Sequence, residues 1–455
     1  MFTKTISKLN HKSILIIGMA REGLSTVEFL LKHLNDVKIT VTDTQILEDL
    51  DPKWTSLLEK NENLINLTTD QVRNEIFDYL FKSPGIPHQV IEEKYQLNLN
   101  KVELTSNTQL FFDIIESLDK PPITIGITGT KGKTTTTAQI FHVLNQGEMP
   151  VALGGNIGVP PLKLLEDNQE IRNTIYVIEM SCHQLAELST SPQIAVIQDI
   201  APDHLDYYPN FETYFEAKTA ICKFQTEFGT VIYNADSKSA IKMAELSKGN
   251  KIPFSLNDTD LIKLIGESHS PLVGKHNLYN TIPAAIIARQ LELTDQQISK
   301  GIETFKPVPH RIELVKTVGE VKFYNDSAAS APEATIAAIQ AFEQQPLILI
   351  AGGSEKGVNF DELAQVIIDH NVKYLVLFPI TGETILESIK KLQPDHSLIS
   401  NQQLANSMEE AIQISQEKAQ DGDIVLLSPA SASFNMFKSY EDRGNQFKKL
   451  VNSLK

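Results

Sequence analysis

The sequence predicts an α/β protein of three domains built on parallel, doubly wound sheets. Three observations predict it. Apolar, β-branched runs of four or five residues alternate with helix-length segments along the chain, which is the pattern of parallel sheets crossed by helices. Glycine-bearing turns follow two of these runs, at Gly18–Gly23 and at Gly129–Lys133. The chain has 455 residues, more than one hydrophobic core carries, so two to four domains are expected.

The first domain, 1–111, opens on the buried-type strand Ser13–Ile17. Gly18-Met-Ala20-Arg21-Glu22-Gly23 follows and leads into a helix through Leu34. This is the G-x-G-x-x-G turn of a dinucleotide fold with alanine at its second glycine, and it makes the domain Rossmann-like. A second strand, Val37–Val41, leads to Asp43, where such folds place the acid that binds a ribose. A tight turn with no ligand is the alternative. Ser83-Pro-Gly85-Ile-Pro87 forms a loop after the apolar strand Tyr79–Phe81, at the rim of the same sheet.

An amphipathic helix between Leu104 and Lys120 stops at Pro121-Pro122 and marks the first boundary. The central domain, 112–308, begins with a β-branched run from Ile123 that breaks into Gly129-Thr130-Lys131-Gly132-Lys133-Thr134-Thr135 and then a helix to Leu144. Strand, glycine turn and helix start make a phosphate cradle on a P-loop ATPase-type parallel sheet. Lys133 suits the outer phosphates of a nucleotide and Thr134 suits Mg²⁺. Ile127 stands where the strict P-loop has glycine, so the loop is a variant. A strand from Thr174 to Ile178 ends in Glu179, the usual place for a Mg²⁺-binding carboxylate beside such a loop. The strand Ile194–Ile197 runs into a loop with Asp203, His204 and Asp206, and a helix from Phe211 to Phe224 carries Lys218. A solvated strand-end acid, a loop histidine held by its aspartates and a surface lysine are the plainer readings of Glu179, His204 and Lys218. After the strand Thr230–Tyr233 and a less regular stretch, Gly274-Lys-His276-Asn277 precedes an Ala/Ile-rich helix, and Thr304–Arg311 reads as a linker.

The third domain, 309–455, alternates strands at Val321–Tyr324, Leu347–Ala351, Tyr374–Phe378 and Asp423–Leu427 with helices, and is also Rossmann-like. Its charged and hydroxyl residues cluster after strand ends, where open α/β sheets bind ligands.

The formal net charge of −16 argues against nucleic acid or an anionic membrane as partner. Two cysteines, Cys182 and Cys222, cannot build a disulfide framework and fit a reducing cytoplasm. The first residues lack a signal-peptide pattern, and no apolar run reaches membrane-spanning length. A cytoplasmic monomer without membrane insertion is expected.

The order of motifs resembles the Mur ligases, ATP-dependent amide-forming enzymes of peptidoglycan precursor synthesis. The residues that carry the resemblance are Gly129–Thr134, Gly154-Gly-Asn-Ile-Gly158, Glu179-Met-Ser, Asp203-His-Leu-Asp206, Glu216-Ala-Lys218, Gly274-Lys-His-Asn277, Pro309-His-Arg311, Asn325-Asp-Ser327 and Leu427-Ser-Pro-Ala430. The run Phe437–Phe447 looks most like the branch that adds D-glutamate to UDP-N-acetylmuramoyl-L-alanine (UDP-MurNAc-L-Ala). The resemblance implies that the substrate carboxylate takes a phosphoryl group from ATP and that the incoming amine then displaces phosphate. It implies catalytic roles for Lys133, His204 and Lys218, with Thr134 and Glu179 on one Mg²⁺, His204 on a second, and Lys218 carbamylated. It assigns Asn277, Arg311 and Asp326 to ATP. The UDP-sugar falls to Ala20, Arg21, Glu22, Asp43, Thr44, Gly85 and Asn156, and the amino acid to Ser330, Lys356, Ser433 and Tyr440. His276 could instead cap or pack, and Lys356 could be an ordinary loop charge. The chain departs from the family pattern at Gln45 and Ala328, where arginine and lysine are usual, and at Asp199, where asparagine is usual. Two other readings compete: a related ligase using another amino acid such as L-glutamate, and a non-catalytic nucleotide-binding relative. Folylpolyglutamate synthases share such an ATP site, but a first domain with Asp43 argues against them.

Overall fold

The computed structural model describes residues 3–168, 170–205, 207–342, 345–355 and 357–454. Three sheets follow one another in the chain. The first has five parallel strands, β1 (Ser13–Ile17), β2 (Lys38–Thr42), β3 (Leu64–Asn66), β4 (Tyr79–Lys82) and β5 (Glu103–Thr105), in the order β3-β2-β1-β4-β5. The chain winds outward both ways from β1, so the crevice above β1 and β4 is a topological switch point, where such sheets bind ligands.

The central sheet has six parallel strands, β6 (Thr124–Thr128), β7 (Val151–Gly155), β8 (Ile175–Glu179), β9 (Ile194–Ile197), β10 (Thr230–Asn234) and β11 (Asn250–Phe254), ordered β11-β10-β9-β6-β8-β7. The central strands β6, β8 and β9 are buried throughout and read as continuous apolar runs, as strands covered on both faces must. β7 corrects the sequence reading, which took β8 for the second strand of this sheet. The helix carrying Lys218 is also shorter than predicted, Phe211–Lys218, and gives way to a 3₁₀ turn over Thr219–Ile221.

The third sheet consists of β12 (Glu313–Val318), β13 (Val321–Asn325), β14 (Leu347–Gly352), β15 (Val372–Phe378), β16 (Gln402–Leu404) and β17 (Ile424–Leu427), in the order β12-β13-β17-β14-β15-β16. It is mixed, not parallel throughout: β12 runs antiparallel to β13. The cause is local, because only Gly319 and Glu320 connect the two, and a two-residue turn joins antiparallel strands alone. Gly319 supplies the left-handed backbone of that turn, at φ +61.

The chain divides into two compact units, residues 1–268 with 279–302 and residues 269–278 with 303–455. The first two sheets therefore share a unit, and the helix Asn107–Glu116 runs across the 111/112 boundary. The reason is a continuous apolar core: Val27 and Phe29 of the helix Arg21–His33, Leu110 and Phe111, and Leu162 and Leu165 of the helix Pro161–Asp167 belong to one buried cluster. Close packing of such a shared core resists deformation, so loops of the first two sheets are held in fixed register. Among the described residues, no helix is long and apolar enough to cross a membrane.

Candidate active site

The site of the first unit has two parts, a cavity above the first sheet and a glycine loop above the second. The cavity holds about 500 Å³. Ala20, Arg21, Glu22, Asp43, Thr44, Gly85 and Asn156 all line it, so the seven residues predicted to meet the UDP-sugar converge on one concavity.

Asp43 builds its floor. The carboxylate accepts from the backbone N–H of Met19 (2.6 Å) with one oxygen, and from those of Thr44 (2.7 Å) and Gln45 (3.0 Å) with the other. It thereby ties the turn after β1 to the turn after β2. Gly23 is required by packing: a Cβ there would lie 2.0 Å from the carbonyl oxygen of Gly18. Arg21 donates to the carbonyls of Gly158 (2.8 Å) and Asn156 (3.0 Å), fixing the loop that carries Asn156. Gln184 donates to Glu22 Oε1 at 2.7 Å, while Glu22 Oε2 is buried with no hydrogen-bond partner among the described residues. Burial pushes the Glu22 carboxyl up to about 7, against the pull of Gln184, Arg21 and Lys82.

Sequence reasoning missed several residues here. Lys82, fully buried, donates to the carbonyl of Ile86 (3.0 Å) and pairs with Glu187 (2.9 Å), so it shapes the loop around Gly85. Trp54 donates from its indole to the carbonyl of Met19 at 2.7 Å. Ser181, His183 and Gln184 line the cavity. Ser181 stands in the Glu179-Met-Ser motif, which was a signal; Lys82 and Trp54 gave none.

The glycine loop lies at the end of β6. The register pairs Ile127 with Glu179 and Thr128 with Ile197, so β8 delivers its terminal acid directly beside the loop. Gly132 adopts φ +82 and a Cβ there would lie 2.4 Å from Asn280 Oδ1. Lys133 opens the helix Lys133–Leu144, and its ammonium donates to the carbonyls of Gly129 and Thr130, both at 2.9 Å. Thr130 shares a hydrogen bond with the Tyr214 hydroxyl at 3.0 Å and donates to the carbonyl of Ala201 at 2.9 Å. Its backbone N–H donates to the carbonyl of Asp199 at 2.7 Å, so the residue that departs from the family pattern acts here through its main chain. Lys131 is exposed, Thr134 partly buried and Thr135 buried on the first turn.

Lys218 is not a solvated surface charge. It is 1% exposed and donates to the carbonyl of Gly129 (3.1 Å) and to Thr128 Oγ1 (3.4 Å), with its ammonium 4.9 Å from the Tyr214 ring centre. Burial, joined by the positive charge of Lys133, lowers its pKa to about 7. Glu179 is also 1% exposed. Asn156 donates to its Oε1 at 2.7 Å, while Oε2 is buried with no partner among the described residues. Such an orphaned carboxylate oxygen beside a phosphate-type loop fits an absent cation. His204 holds a left-handed backbone, φ +52, with its N–H on Asp203 Oδ1 at 2.9 Å. Its ring lies 5.1 Å from that of His183, which lines the cavity, so loop and cavity adjoin. Asp206 lies outside the described residues.

The other predicted residues belong to the second unit. Asp326 accepts from Ser428 Oγ (2.7 Å) and from the backbone N–H of Ile312 (3.2 Å), and burial raises its carboxyl to about 7. Arg443, fully buried, donates to Ser327 Oγ (2.9 Å), the Ser327 carbonyl (2.8 Å) and the Ser431 carbonyl (3.0 Å). It clamps the loops after β13 and β17 to the last helix, which Tyr440 begins, and it was absent from the predicted site. Arg311 is exposed, Ser433 buried and Ser330 partly buried. Asn277 is buried and donates to the carbonyl of Val273 at 2.7 Å. Lys356 lies outside the described residues.

Comparison with known proteins agrees with this geometry. The Mur ligase middle domain matches residues 127–288, and the Mur ligase glutamate ligase domain matches residues 310–431. The chain is 34% identical to the UDP-N-acetylmuramoylalanine–D-glutamate ligase of Clostridium tetani, over 98% of this chain and 97% of that one. Among solved structures it resembles a UDP-N-acetylmuramoylalanyl-D-glutamyl-2,6-diaminopimelate–D-alanyl-D-alanyl ligase from Acinetobacter baumannii, with a TM-score of 0.62 at 13% identity, over 99% of this chain and 98% of that one. It also resembles the MurF ligase of Thermotoga maritima in complex with ADP, with a TM-score of 0.59 at 14% identity, over 98% of this chain and 96% of that one.

Proposed function

The chain belongs to the Mur ligase family, and from that premise we propose that it joins D-glutamate to UDP-MurNAc-L-Ala at the expense of ATP. One observation carries this reading. Asn156 lines the cavity and donates to Glu179 at the end of β8 twice, from its side-chain amide to Oε1 (2.7 Å) and from its backbone N–H to the carbonyl (2.8 Å), so the sugar-nucleotide cavity is tied to the acid beside the phosphate loop. A substrate seated in the cavity would direct its free carboxylate toward the γ-phosphate.

Carboxylate and amine do not condense usefully in water, so activation as an acyl phosphate is the chemistry this arrangement serves. The carboxylate oxygen attacks the γ-phosphorus and ADP leaves; the amine nitrogen then attacks the acyl carbon, and phosphate departs from the tetrahedral intermediate. Catalysis is alignment and charge neutralisation. Lys133 meets the transferring phosphoryl group, and the N–H groups of Gly129–Thr135 cradle the phosphates. Thr134 and Glu179 would hold one Mg²⁺, and His204 with carbamylated Lys218 a second. Bound there, Mg²⁺ would supply positive charge to the transferring phosphoryl group. Lys218 is suited to carbamylation because its depressed pKa leaves a neutral amine at physiological pH. That neutral amine adds CO₂ and releases a proton, so the side chain becomes an anion; counted from the ammonium, two protons leave.

In this reading residues 1–111 bind the UDP-sugar, 112–308 bind ATP, and 309–455 bind the amino acid. Asn277, Arg311 and Asp326 serve ATP, and Ser330, Lys356, Ser433 and Tyr440 the incoming glutamate. The enzyme works as a cytoplasmic monomer on small molecules. The test is to mix the protein with ATP, Mg²⁺ and UDP-MurNAc-L-Ala and a panel of D- and L-amino acids, then read ADP release and product mass. A D-glutamate adduct is expected. ADP release with another amino acid only would move the specificity, and no product with any would end the reading.

A further inference from the structure

The reading above uses His204 and leaves Cys182 and His183 without a chemical role. One donor atom from each of Cys182, His183 and His204 lies within 4.8 Å of the others. Zinc binds sulfur at about 2.3 Å and imidazole nitrogen at about 2.0–2.1 Å, so three ligands around one ion stand roughly 3–4 Å apart. Side-chain adjustments of about an ångström would close the set.

The surroundings fit a cation site. Burial is graded: Cys182 is 2% exposed, His183 is half-buried, and the His204 side chain is 46% exposed. The thiol thus anchors the set in the core, and the opposite side is open to solvent. Each imidazole has an oxygen near one ring nitrogen, the Tyr208 hydroxyl at 3.3 Å from His183 Nδ1 and Asp203 Oδ2 at 3.7 Å from His204 Nε2. A hydrogen-bonded oxygen such as the Tyr208 hydroxyl is the kind of partner that orients a metal-ligating imidazole, and the Asp203 carboxylate adds negative charge near His204. The Tyr207 ring, 4.3 Å from His183, and the Tyr208 ring stacked on it at 5.5 Å confine that imidazole.

The donor set decides which cation. Mg²⁺ takes oxygen ligands in octahedral geometry, whereas one thiolate and two imidazoles are a soft set that favours zinc-class ions. Three protein ligands leave one tetrahedral position for water or an anion. We propose that Cys182, His183 and His204 form a site for a thiophilic divalent cation such as Zn²⁺, apart from the oxygen site at Thr134 and Glu179, and that its occupancy switches the enzyme off by withdrawing His204 from the reaction. Binding replaces the thiol proton with the metal and releases that proton to solvent. The binding half stands on the three side chains alone; the inhibitory half rests on the ligase reading.

The experiment separates the two halves. The reduced full-length protein is titrated with Co²⁺ as an optical probe, in excess Mg²⁺. A thiolate-to-cobalt charge-transfer band is expected at one equivalent, displaced by Zn²⁺. Cys182→Ser should abolish it, and Cys222→Ser, at the only other cysteine in the sequence, should retain it. His183→Gln, at a half-buried side chain that does not threaten the fold, should weaken Co²⁺ binding by at least about 100-fold, since loss of a mere outer-shell partner costs roughly 10–100-fold. No band, a band that survives Cys182→Ser, or unchanged affinity in His183→Gln overturns the site. In the turnover assay, Zn²⁺ should inhibit the parent reversibly, with recovery on chelation, and Cys182→Ser should need at least about 100-fold more. Metal binding without inhibition overturns the switch and the role given to His204 but leaves the site standing. Equal inhibition of parent and variant places the effect elsewhere and also overturns the switch.

Discussion

Two strand–turn–helix units of the same construction sit in the first compact unit, and they hold opposite chemistry. After β1 the chain turns at Gly18–Gly23 into the helix Arg21–His33; after β6 it turns at Gly129–Gly132 into the helix Lys133–Leu144. Both offer a helix N-terminus to an anion. The first turn is met by carboxyls, Asp43 on the backbone N–H of Met19 and Glu22 inside the cavity. The second is met by amines, Lys133 and Lys218, both on the carbonyl of Gly129. The fold thus supplies a common anion-facing frame, and side chains decide what each frame can take. A loop with one fixed cation, Lys133, and a second lysine that can change its charge suits a nucleoside triphosphate in reaction; a turn with two carboxyls suits a ligand recognised through hydroxyl and amide groups.

The comparison breaks most sharply at Lys133. Lys133→Ala removes the amine aimed at the outer phosphates and should lower ATP-dependent product formation by about 10³-fold or more, since one transition-state donor alone is worth roughly 10²–10³. Turnover within tenfold of the parent, read as ADP release, would end the assignment. Lys218→Ala should cost nearly as much, about 10²–10³-fold. It differs in kind, because short carboxylic acids should restore part of the activity by standing in for a carbamate. Failure of acetate or formate to rescue a folded variant would return Lys218 to a structural role.

What could be read from the sequence follows from where each signal resides. β1, β6, β8 and β9 are central strands buried on both faces, so they announce themselves as apolar runs. The strands that escaped notice, β3, β5, β7, β11, β12 and β16, are the six edge strands of the three sheets; β11 (Asn250–Phe254) is mostly exposed, and β12 has no fully buried residue. The phosphate loop was legible because all its parts are contiguous. Lys82, Gln184, Trp54 and Arg443 were not: each acts on at least one partner 35 or more residues away, and only the fold brings them together. The mixed third sheet hinged on two residues, Gly319 and Glu320, which looked like any surface turn.

The first turn yields a smaller effect of a different kind. Asp43→Asn keeps the shape but loses the charge that holds three N–H groups. Hydrogen bonds to a charged group contribute about 1.5–3 kcal/mol, and part of that reaches the ligand. KM for UDP-MurNAc-L-Ala should rise about 10–30-fold with kcat and KM for ATP within about twofold. A fall in kcat with unchanged KM would mean that the two frames do not divide the work between substrate and nucleotide.

The smallest effect tests whether the first frame is truly acidic at working pH. The Glu22 carboxyl titrates near 7, raised by burial from its ordinary 4.5. Below that point it is neutral; above it, the cavity gains a negative charge where the UDP-sugar, with its diphosphate, is proposed to bind. The diphosphate of a UDP-sugar bears no group titrating in this range, so the sign is set by Glu22: affinity falls as pH rises. KM for UDP-MurNAc-L-Ala should increase about tenfold between about pH 6 and about pH 8.5, or ~1.4 kcal/mol, while KM for ATP, at a loop where Lys218 titrates in the same range, should have the same pH profile in the parent and in Glu22→Gln. Glu22→Gln, permanently neutral and still able to pair with Gln184, should hold the low-pH KM throughout. If the variant keeps the parent's pH profile, the charge lies elsewhere, and the contrast between the two turns reduces to Asp43 alone.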